Sequence, residues 1–275
     1  MSTYEHTPPT RERLLEIVDE LCSGWNQFLA VPDQQFARPR DADEPAAAAL
    51  VMALSSHVTE LGSGVLTLAR SGSSGMTLMP LVRAAYESAI TAHWLAQLPD
   101  AAPAFINEDA RNRKAIVREL PNARGQGFRD SVDAISRQIV PRLSTSSDAQ
   151  ARNFEGRCHD LDLAGVDAYL YYRAASSLTH PSILVADQYL RSIDSELYVS
   201  AHAQNMGDAW IFVTAAALVW AQMAANYCDP QRTRRTTLRR IGRELGIEPE
   251  LALSPAARAR TTGVKRPRTA ARPND

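Results

Sequence analysis

The chain has 275 residues, of which 45% are hydrophobic, enough for a globular protein with a sizeable core. Its three cysteines, Cys22, Cys158 and Cys228, are widely spaced and form no CxxC motif, which argues against a disulfide framework or a zinc site. The N-terminal residues contain no apolar segment typical of secretory signals. We therefore expect a cytoplasmic protein.

The net charge of −1 hides an uneven distribution along the chain. Residues 1–230 hold 18 Lys+Arg and 27 Asp+Glu, whereas residues 231–275 hold 12 and 4. The body is thus acidic and the C-terminal segment basic. This asymmetry is compatible with a nucleic-acid-binding arm, with a solubilising extension, or with a general compositional preference for arginine.

The apolar spacing predicts an all-α fold, a multi-helix up-and-down bundle. Strand signals are poor, since there is no sustained alternation and no Asn-Gly turn. We predict a helical bundle domain over residues 1–230, a basic helix over 231–253 and a disordered basic tail over 254–275. The first main helix is predicted to begin after the N-cap Thr10, and the second to run from Pro45 to Arg70. Two more cover residues 76–98 and 101–120, and a fifth ends at His180. The last two run from Pro181 to about Ile193 and over residues 200–227.

Trp210 to Tyr227 is nearly free of charge over a length that approaches a membrane span, and no second such run is expected. Alanine is its commonest residue, and Gln222 and Asn226 interrupt it. Because alanine contributes little to membrane insertion, this segment predicts a buried central helix rather than a membrane anchor.

Two charged islands lie within otherwise apolar helical segments. In YYRAASSLTHPS, residues 171–182, Arg173 and His180 are two helical turns apart and share a face with Tyr169 and Ser177. This arrangement suits phosphate chemistry, although His180 is equally compatible with a helix-ending residue bonded to a carbonyl.

The second island is LVRAAYESAI, where Arg83 and Glu87 are spaced i, i+4 and can pair directly. A buried ion pair is poor evidence for stability, so a role in a site is as plausible as a role in fixing the register of the helix.

The Arg173-AASSLT-His180 spacing resembles the motif of the HEPN superfamily (higher eukaryotes and prokaryotes nucleotide-binding domain). Together with Arg83-x3-Glu87, it also resembles an uncharacterised bacterial family of unknown function. The resemblance spans roughly residues 50–225 and implies an all-α, HEPN-like core. One departure is Ala174, where many active members have a polar residue.

The resemblance implies a metal-independent endoribonuclease of toxin–antitoxin or phage-defence type, active as a homodimer without a cofactor. Arg173 and His180 are the implied catalytic pair, and Arg83, Glu87, Tyr169 and Ser177 are supporting or phosphate-binding residues. The alternative is a non-catalytic helical module that binds nucleic acid or a partner protein such as an antitoxin. Neither alternative involves a membrane.

Two weaker patterns are interpreted conservatively. Cys158, His159, Asp160 and Asp162 are close in sequence but lack a second ligand cluster, so a polar loop is favoured over a metal site. Residues 237–250 resemble the start of a helix-turn-helix, but Pro255 interrupts the second helix. A solvated amphipathic helix leading into a flexible tail is the simpler interpretation.

Overall fold

The computed structural model describes residues 8–31, 45–162, 168–204 and 208–262. Helices dominate these residues, and the strands are only two to four residues long. The predicted all-α bundle is therefore confirmed. The helices are α1 Arg11–Leu29, α2 Pro45–Arg70, α3 Gly75–Gln97, α4 Ala101–Glu119, α5 Gln126–Asp130, α6 Val132–Ser136, α7 Asp148–Ala151, α8 Phe154–Asp160, α9 Ala168–Ser177, α10 Ile183–Asp187, α11 Ala209–Cys228, α12 Arg235–Leu245 and α13 Pro255–Thr262. The strands are β1 Leu161–Asp162, β2 Leu190–Ile193, β3 Glu196–Val199 and β4 Ala252–Leu253.

Helix α11 forms the centre of the bundle. Its side chains are buried on nearly all sides, and it packs against α1, α2, α3 and α12. Gly62 lets α2 approach closely, because a Cβ there would lie 3.0 Å from Leu218 Cδ1. The Ser55 hydroxyl of α2 donates across to the Ala221 carbonyl at 2.8 Å. The prediction of a buried central helix is confirmed.

Two of the described helices are long and apolar enough to cross a membrane by length and composition, Ala46–Arg70 within α2 and α11. The expectation that no second such segment exists is therefore wrong. In the structure, 83% of the apolar window of α11 is buried, against 44% for α2. Buried core helices pass the same test of length and composition, so the packing of α11 accounts for its composition.

The basic segment after residue 230 docks on the acidic body. Arg240 of α12 pairs with Glu20 of α1, and Arg13 of α1 donates to Glu244 of α12 at 2.9 Å. Leu238, Ile241 and Leu245 of α12 are buried, so its apolar face packs on the bundle. The charge difference between the two parts of the chain is thus partly neutralised inside the molecule.

The helix-turn-helix resemblance is not borne out in the described residues. Helix α12 ends at Leu245 and is capped by Gly246, whose φ of 68° is a left-handed conformation that favours glycine. Strand β4 then pairs antiparallel with β1, and α13 follows. Disorder was predicted from residue 254, but Pro255–Thr262 is helical and Ala257 is fully buried. Residues 263–275 of the predicted tail lie outside the described residues.

The segment between α9 and α11 differs most from prediction. The helix expected up to about Ile193 is only α10, and the next helix begins at Ala209 rather than Ser200. Strands β2 and β3 form an antiparallel hairpin in which Ile193 pairs with Glu196. Its turn residues, Asp194 and Ser195, have φ values of 51° and 69°, typical of a type I′ turn. The prediction missed this turn because Ser195 stands where glycine is usual.

Candidate functional site

Arg83 projects from α3 toward the end of α9. Its Nη2 donates to the Tyr172 hydroxyl at 3.0 Å, and its Nη1 donates to the Thr179 hydroxyl at 3.3 Å. The same Nη1 lies 3.4 Å from His180 Nε2. We call these four residues the Arg83–His180 site. One charged residue of each island, Arg83 and His180, therefore lies in this site.

Tyr172 holds the guanidinium with its ring as well as its hydroxyl. Arg83 Cζ lies 5.2 Å from the Tyr172 ring centroid, within the range of a cation–π interaction. The Tyr172 ring packs on Phe154 at 4.5 Å between centroids and lies nearly parallel to Tyr169 at 6.0 Å. Tyr169, which the resemblance implies as a supporting residue, thus contacts Tyr172 of the site. The Arg83 guanidinium therefore packs on the Tyr172 ring, which is itself packed against two other aromatic rings.

His180 lies in a turn and not on a helix. The helix predicted to reach it ends at Ser177, and the next two backbone N–H groups donate to carbonyls three residues earlier at 3.2 and 3.1 Å. Pro181 disfavours helical geometry at the residue before it, which explains the early end. The side chain of His180 is exposed, so a ligand can reach it. Because arginine carries only donors, its contact with Nε2 leaves that nitrogen as the acceptor.

Arg173 and Ser177 lie on the outer face of α9. Both are exposed, and the Ser177 hydroxyl donates to the Arg173 carbonyl within the helix at 2.9 Å. Among the described residues, the Arg173 guanidinium makes no ion pair or hydrogen bond with the Arg83–His180 site. The structure therefore brings His180 to Arg83, and leaves Arg173 facing solvent on the neighbouring turn of α9.

Glu87 belongs to a neighbouring cluster. No ion pair joins it to Arg83 within the described residues; it lies close enough to influence Arg157 of α8. Arg157 Nη1 donates to the Thr91 hydroxyl at 2.8 Å, and Nη2 donates to the Ala151 carbonyl at 3.1 Å. Burial lowers the pKa of the Arg157 guanidinium, and the Glu87 carboxylate opposes that change. Glu87 therefore compensates a buried arginine on α8.

The sequence cluster around Cys158 has a structural explanation. Cys158 and Asp160 are buried on α8 and do not lie in a polar loop. Asp160 Oδ2 accepts from Trp94 Nε1 at 2.8 Å and from Arg260 Nη2 at 2.5 Å, which ties α13 to α3. Within the described ranges, no three His, Cys, Asp or Glu side chains are grouped as metal ligands.

Comparison with known families places the chain in one of them. The family described as "Family of unknown function (DUF5677)" matches residues 48–196, more than half of the chain. The chain belongs to the DUF5677 family. This confirms the predicted membership of an uncharacterised family. No curated protein and no solved structure matches the chain significantly.

The DUF5677 segment contains every residue of the Arg83–His180 site, together with Arg173 and Glu87. The central helix α11 and the docked helices α12 and α13 lie outside it. The site is thus formed entirely within the family segment, whereas much of the core that supports it comes from the rest of the chain.

Sequence reasoning missed two residues of the site, Tyr172 and Thr179. Their signal was present, because they are separated by seven positions, the same spacing as Arg173 and His180. On a continuous helix, residues seven positions apart would lie on one face, so the spacing relates Tyr172 to Thr179 although α9 ends before Thr179. No sequence pattern marked Arg157, which lies in a segment that looked like a polar turn.

Proposed function

We propose that this DUF5677 protein is a HEPN-type, metal-independent endoribonuclease, with His180 and Arg83 at the reacting phosphodiester. The supporting observation is the 3.4 Å distance between Arg83 Nη1 and His180 Nε2 at an exposed turn. A phosphate placed against the guanidinium would bring the neighbouring ribose within reach of the imidazole. This arrangement suits general acid–base catalysis next to a fixed positive charge.

The proposed reaction needs only groups of the chain, the RNA and water. A ribose 2′-hydroxyl replaces Arg83 Nη1 as the hydrogen-bond donor to His180 Nε2 when the guanidinium turns to the phosphate; Nε2 then accepts the hydroxyl proton, and the 2′-oxygen attacks the adjacent phosphorus. The bond from phosphorus to the 5′-oxygen breaks, and the leaving oxygen takes a proton from water. The products are a 2′,3′-cyclic phosphate and a 5′-hydroxyl. Arg83 stabilises the negative charge that develops on the phosphoryl oxygens.

Arg173 takes a different role from the one implied by the resemblance. Its guanidinium is exposed on α9 and does not contact His180. We assign it to an RNA phosphate next to the scissile one, where an exposed arginine can add affinity without fixing the reacting group. Arg83, which the resemblance gave a supporting role, takes the position beside His180.

The HEPN assignment is supported by the all-α fold and by the Arg-x6-His spacing at the end of α9. A toxin or phage-defence role is the corresponding cellular proposal. Induced expression of the wild-type chain should then arrest bacterial growth, and His180→Ala should restore it.

A non-catalytic RNA-binding module is the second candidate, and the separation of Arg173 from the Arg83–His180 site favours it. The motif's arginine lies outside the site, and Ala174 beside it provides no polar group. In that case the same surface would bind RNA phosphates without cleaving them.

The test uses purified wild-type chain, His180→Ala and His57→Ala, incubated with total bacterial RNA and a chelator. His57 is an exposed histidine on α2 and serves as the matched control. We expect the wild type and His57→Ala to produce 2′,3′-cyclic phosphate ends, and His180→Ala to lose at least a hundredfold in rate, within the usual range for a catalytic histidine.

Equal cleavage by all three proteins would indicate a contaminating nuclease and contradict the assignment of His180. If none cleaves but all bind single-stranded RNA with salt-dependent affinity, the binding module is the correct function. Fluorescence anisotropy with a labelled RNA measures that affinity.

A further inference from the structure

Residues 111–142 form a basic segment on an otherwise acidic body. They hold 8 Lys+Arg and 3 Asp+Glu, whereas the rest of residues 1–230 holds 10 and 24. The segment comprises the second half of α4, a 3₁₀ turn at Leu120–Asn122, α5 and α6, and none of its 32 residues is buried. We call residues 111–142 the basic lobe.

The basic lobe has a defined backbone although it adds no residue to the core. Arg129 Nη1 donates to the Ala123 carbonyl at 2.5 Å and to the Arg124 carbonyl at 2.8 Å, which fixes the turn before α5. Helix α6 packs back on α4, and Arg113 of α4 donates to Gln138 just after α6. A folded segment of this kind presents its side chains to a partner outside the core.

Several cations of the basic lobe have no carboxylate partner. The two arginines in its first turn pair with acidic residues of α4 at 2.6 Å. In contrast, Lys114, Arg124 and Arg137 are exposed and make no ion pair within the described residues. Exposed cations that are not compensated attract phosphate groups.

An exposed aromatic ring lies close to one of these cations. Phe128 of α5 is 65% exposed. Its ring lies close to Gly125, where a Cβ would be 3.0 Å from Phe128 Cδ2. Glycine at this position therefore lets the ring lie against the turn that carries Arg124. Aromatic faces next to cations stack the bases and hold the phosphates of single-stranded nucleic acids.

We propose that the basic lobe binds single-stranded RNA, with Phe128 stacked on an unpaired base and Lys114, Arg124 and Arg137 on phosphates. An acidic protein surface fits less well, because carboxylates would use the cations and leave the exposed ring without a stacking partner. The choice of RNA over single-stranded DNA rests on the proposed function, in which RNA is the ligand of the Arg83–His180 site.

Helix α4 connects the basic lobe to the surroundings of that site. Phe105, six residues before the lobe, lies 5.6 Å from Arg157 Cζ of α8, measured from its ring centroid. Phe154 of the same helix α8 packs on Tyr172. The lobe begins about 9 Å along α4 from Phe105. A strand held on the lobe is therefore kept near the Arg83–His180 site.

The test measures the affinity of the full chain for a fluorescently labelled single-stranded RNA of about 16 nucleotides, by anisotropy over a series of salt concentrations. All proteins carry His180→Ala, which prevents cleavage in the proposed mechanism. Adding Lys114→Gln/Arg124→Gln/Arg137→Gln should weaken binding about tenfold or more. It should also reduce the slope of log affinity against log salt by about 2, because three phosphate contacts are lost.

The matched control is Arg70→Gln/Arg191→Gln/Arg243→Gln, which removes three exposed arginines outside the lobe and should keep the parent affinity and slope. Phe128→Ala should weaken binding about fivefold or more with an unchanged salt slope, because stacking is lost and no charge changes. Phe128→Tyr keeps an aromatic face and should retain the affinity. Far-ultraviolet circular dichroism should be the same for every variant, since each substituted side chain is exposed.

Three outcomes would overturn the proposal. They are absence of RNA binding by the His180→Ala parent, equal affinity of the two triple variants, and an unchanged affinity of Phe128→Ala. Competition by polyglutamate as strong as that by an oligouridylate of equal charge would also overturn it, because an acidic protein would then be the better partner.

Failure of the basic lobe and failure of the nuclease assignment give different results. Cleavage of total RNA by the wild type together with unchanged binding by the lobe variants rejects the lobe and leaves the nuclease assignment standing. Weaker binding by the lobe variants without wild-type cleavage supports the lobe and favours the non-catalytic binding module.

Discussion

Helix α3 carries two ionisable side chains whose surroundings differ, Arg83 and His93. Arg83 reaches an exposed turn and contacts His180. His93 is fully buried, with Nδ1 2.9 Å from Gln97 Nε2 and its ring edge-on to Tyr227 at 5.6 Å. In sequence both are polar residues within one apolar helix. The two residues differ in the solvent exposure of their partners. Arg83 therefore belongs to a candidate site, whereas His93 makes a structural contact.

The buried surroundings of His93 favour the neutral forms of His93 and Tyr227. Burial lowers the pKa of His93 to about 4 and raises the pKa of Tyr227 to about 12. Gln97 also donates to the Leu251 carbonyl at 2.5 Å, which ties the C-terminal segment to α3. This end of α3 therefore stabilises the fold, whereas the other end presents a cation at the surface.

The largest expected effect concerns Arg83. Replacing it in Arg83→Met should lower RNA cleavage at least a hundredfold, or about 3 kcal/mol in transition-state stabilisation, because the fixed charge beside His180 is lost. The free energy of unfolding should fall by only about 1 kcal/mol, since its lost hydrogen bonds are at a partly exposed site. Single-turnover kinetics and urea unfolding measure the two quantities.

The matched control is Arg70→Met, which removes a surface arginine of α2 that pairs with Asp19 at 2.8 Å. It should leave both quantities nearly unchanged. If Arg83→Met retains cleavage but loses several kcal/mol of stability, Arg83 is structural like His93, and the contrast between the two ends of α3 disappears.

The second prediction concerns the pH dependence caused by His93. The unfolded chain binds this proton near pH 6.5, whereas the folded chain binds it only near pH 4. Between those values the unfolded state holds more protons, so stability is lost as the pH falls through the window. The free energy of unfolding that is lost through protonation of His93 reaches about 3 kcal/mol once the pH lies below the pKa of the folded state. His93→Gln should lose correspondingly less stability over the same window.

Urea unfolding of the wild type and of His93→Gln, measured from about pH 6.5 to about pH 4, gives the two slopes. His57→Gln, at an exposed position, should keep the wild-type slope. Parallel curves for all three proteins would show that His93 is not the source of the acid sensitivity.

The third prediction compares two neighbouring arginines. Arg234 is buried, donates to Gln222 Oε1 at 2.6 Å, and lies over Gly24, where a Cβ would be 2.5 Å from its Nη2. Burial lowers its pKa to about 10. Arg234→Ala should cost about 2 kcal/mol in the free energy of unfolding, because it leaves a cavity and removes the donor to Gln222 Oε1.

Arg235, the next residue, makes a partly exposed pair with Glu250 at 3.0 Å. Arg235→Ala should cost less than about 1 kcal/mol. Chemical denaturation of both variants tests the difference, and equal losses would mean that burial does not distinguish these arginines.

The sequence predicted the parts of the fold that depend on local periodicity. Thr10 caps α1, the bounds of α2 match the prediction, and the apolar run after Trp210 is the core helix. The sequence did not predict the docking of α12, because ion pairs such as Arg240 with Glu20 join residues far apart in the chain. The sequence did not predict the exposure of residues 181–204 either, since burial depends on tertiary packing.

The candidate site was predicted in part for the same reason. Arg83 and His180 were identified as isolated charges in apolar segments, which is a local property. Their contact depends on which face of α3 meets α9, and a single sequence does not specify that. The assumed pairing of Arg83 with Glu87 followed from i, i+4 spacing, but Tyr172 and Thr179 offered Arg83 oxygen acceptors on another helix.

The smallest effect tests how Arg83 is held. Tyr172→Phe removes the hydroxyl that accepts from Arg83 Nη2 at 3.0 Å but keeps the ring beneath the guanidinium. The loss should be about 1 kcal/mol, or roughly fivefold in cleavage rate, because one neutral acceptor is removed and the cation–π contact remains. Tyr171→Phe, which changes an exposed tyrosine on the same helix, is the matched control and should retain full activity. A Tyr172→Phe loss as large as that of Arg83→Met would indicate that the hydroxyl takes part in the reaction itself, whereas no loss would show that the ring alone positions Arg83.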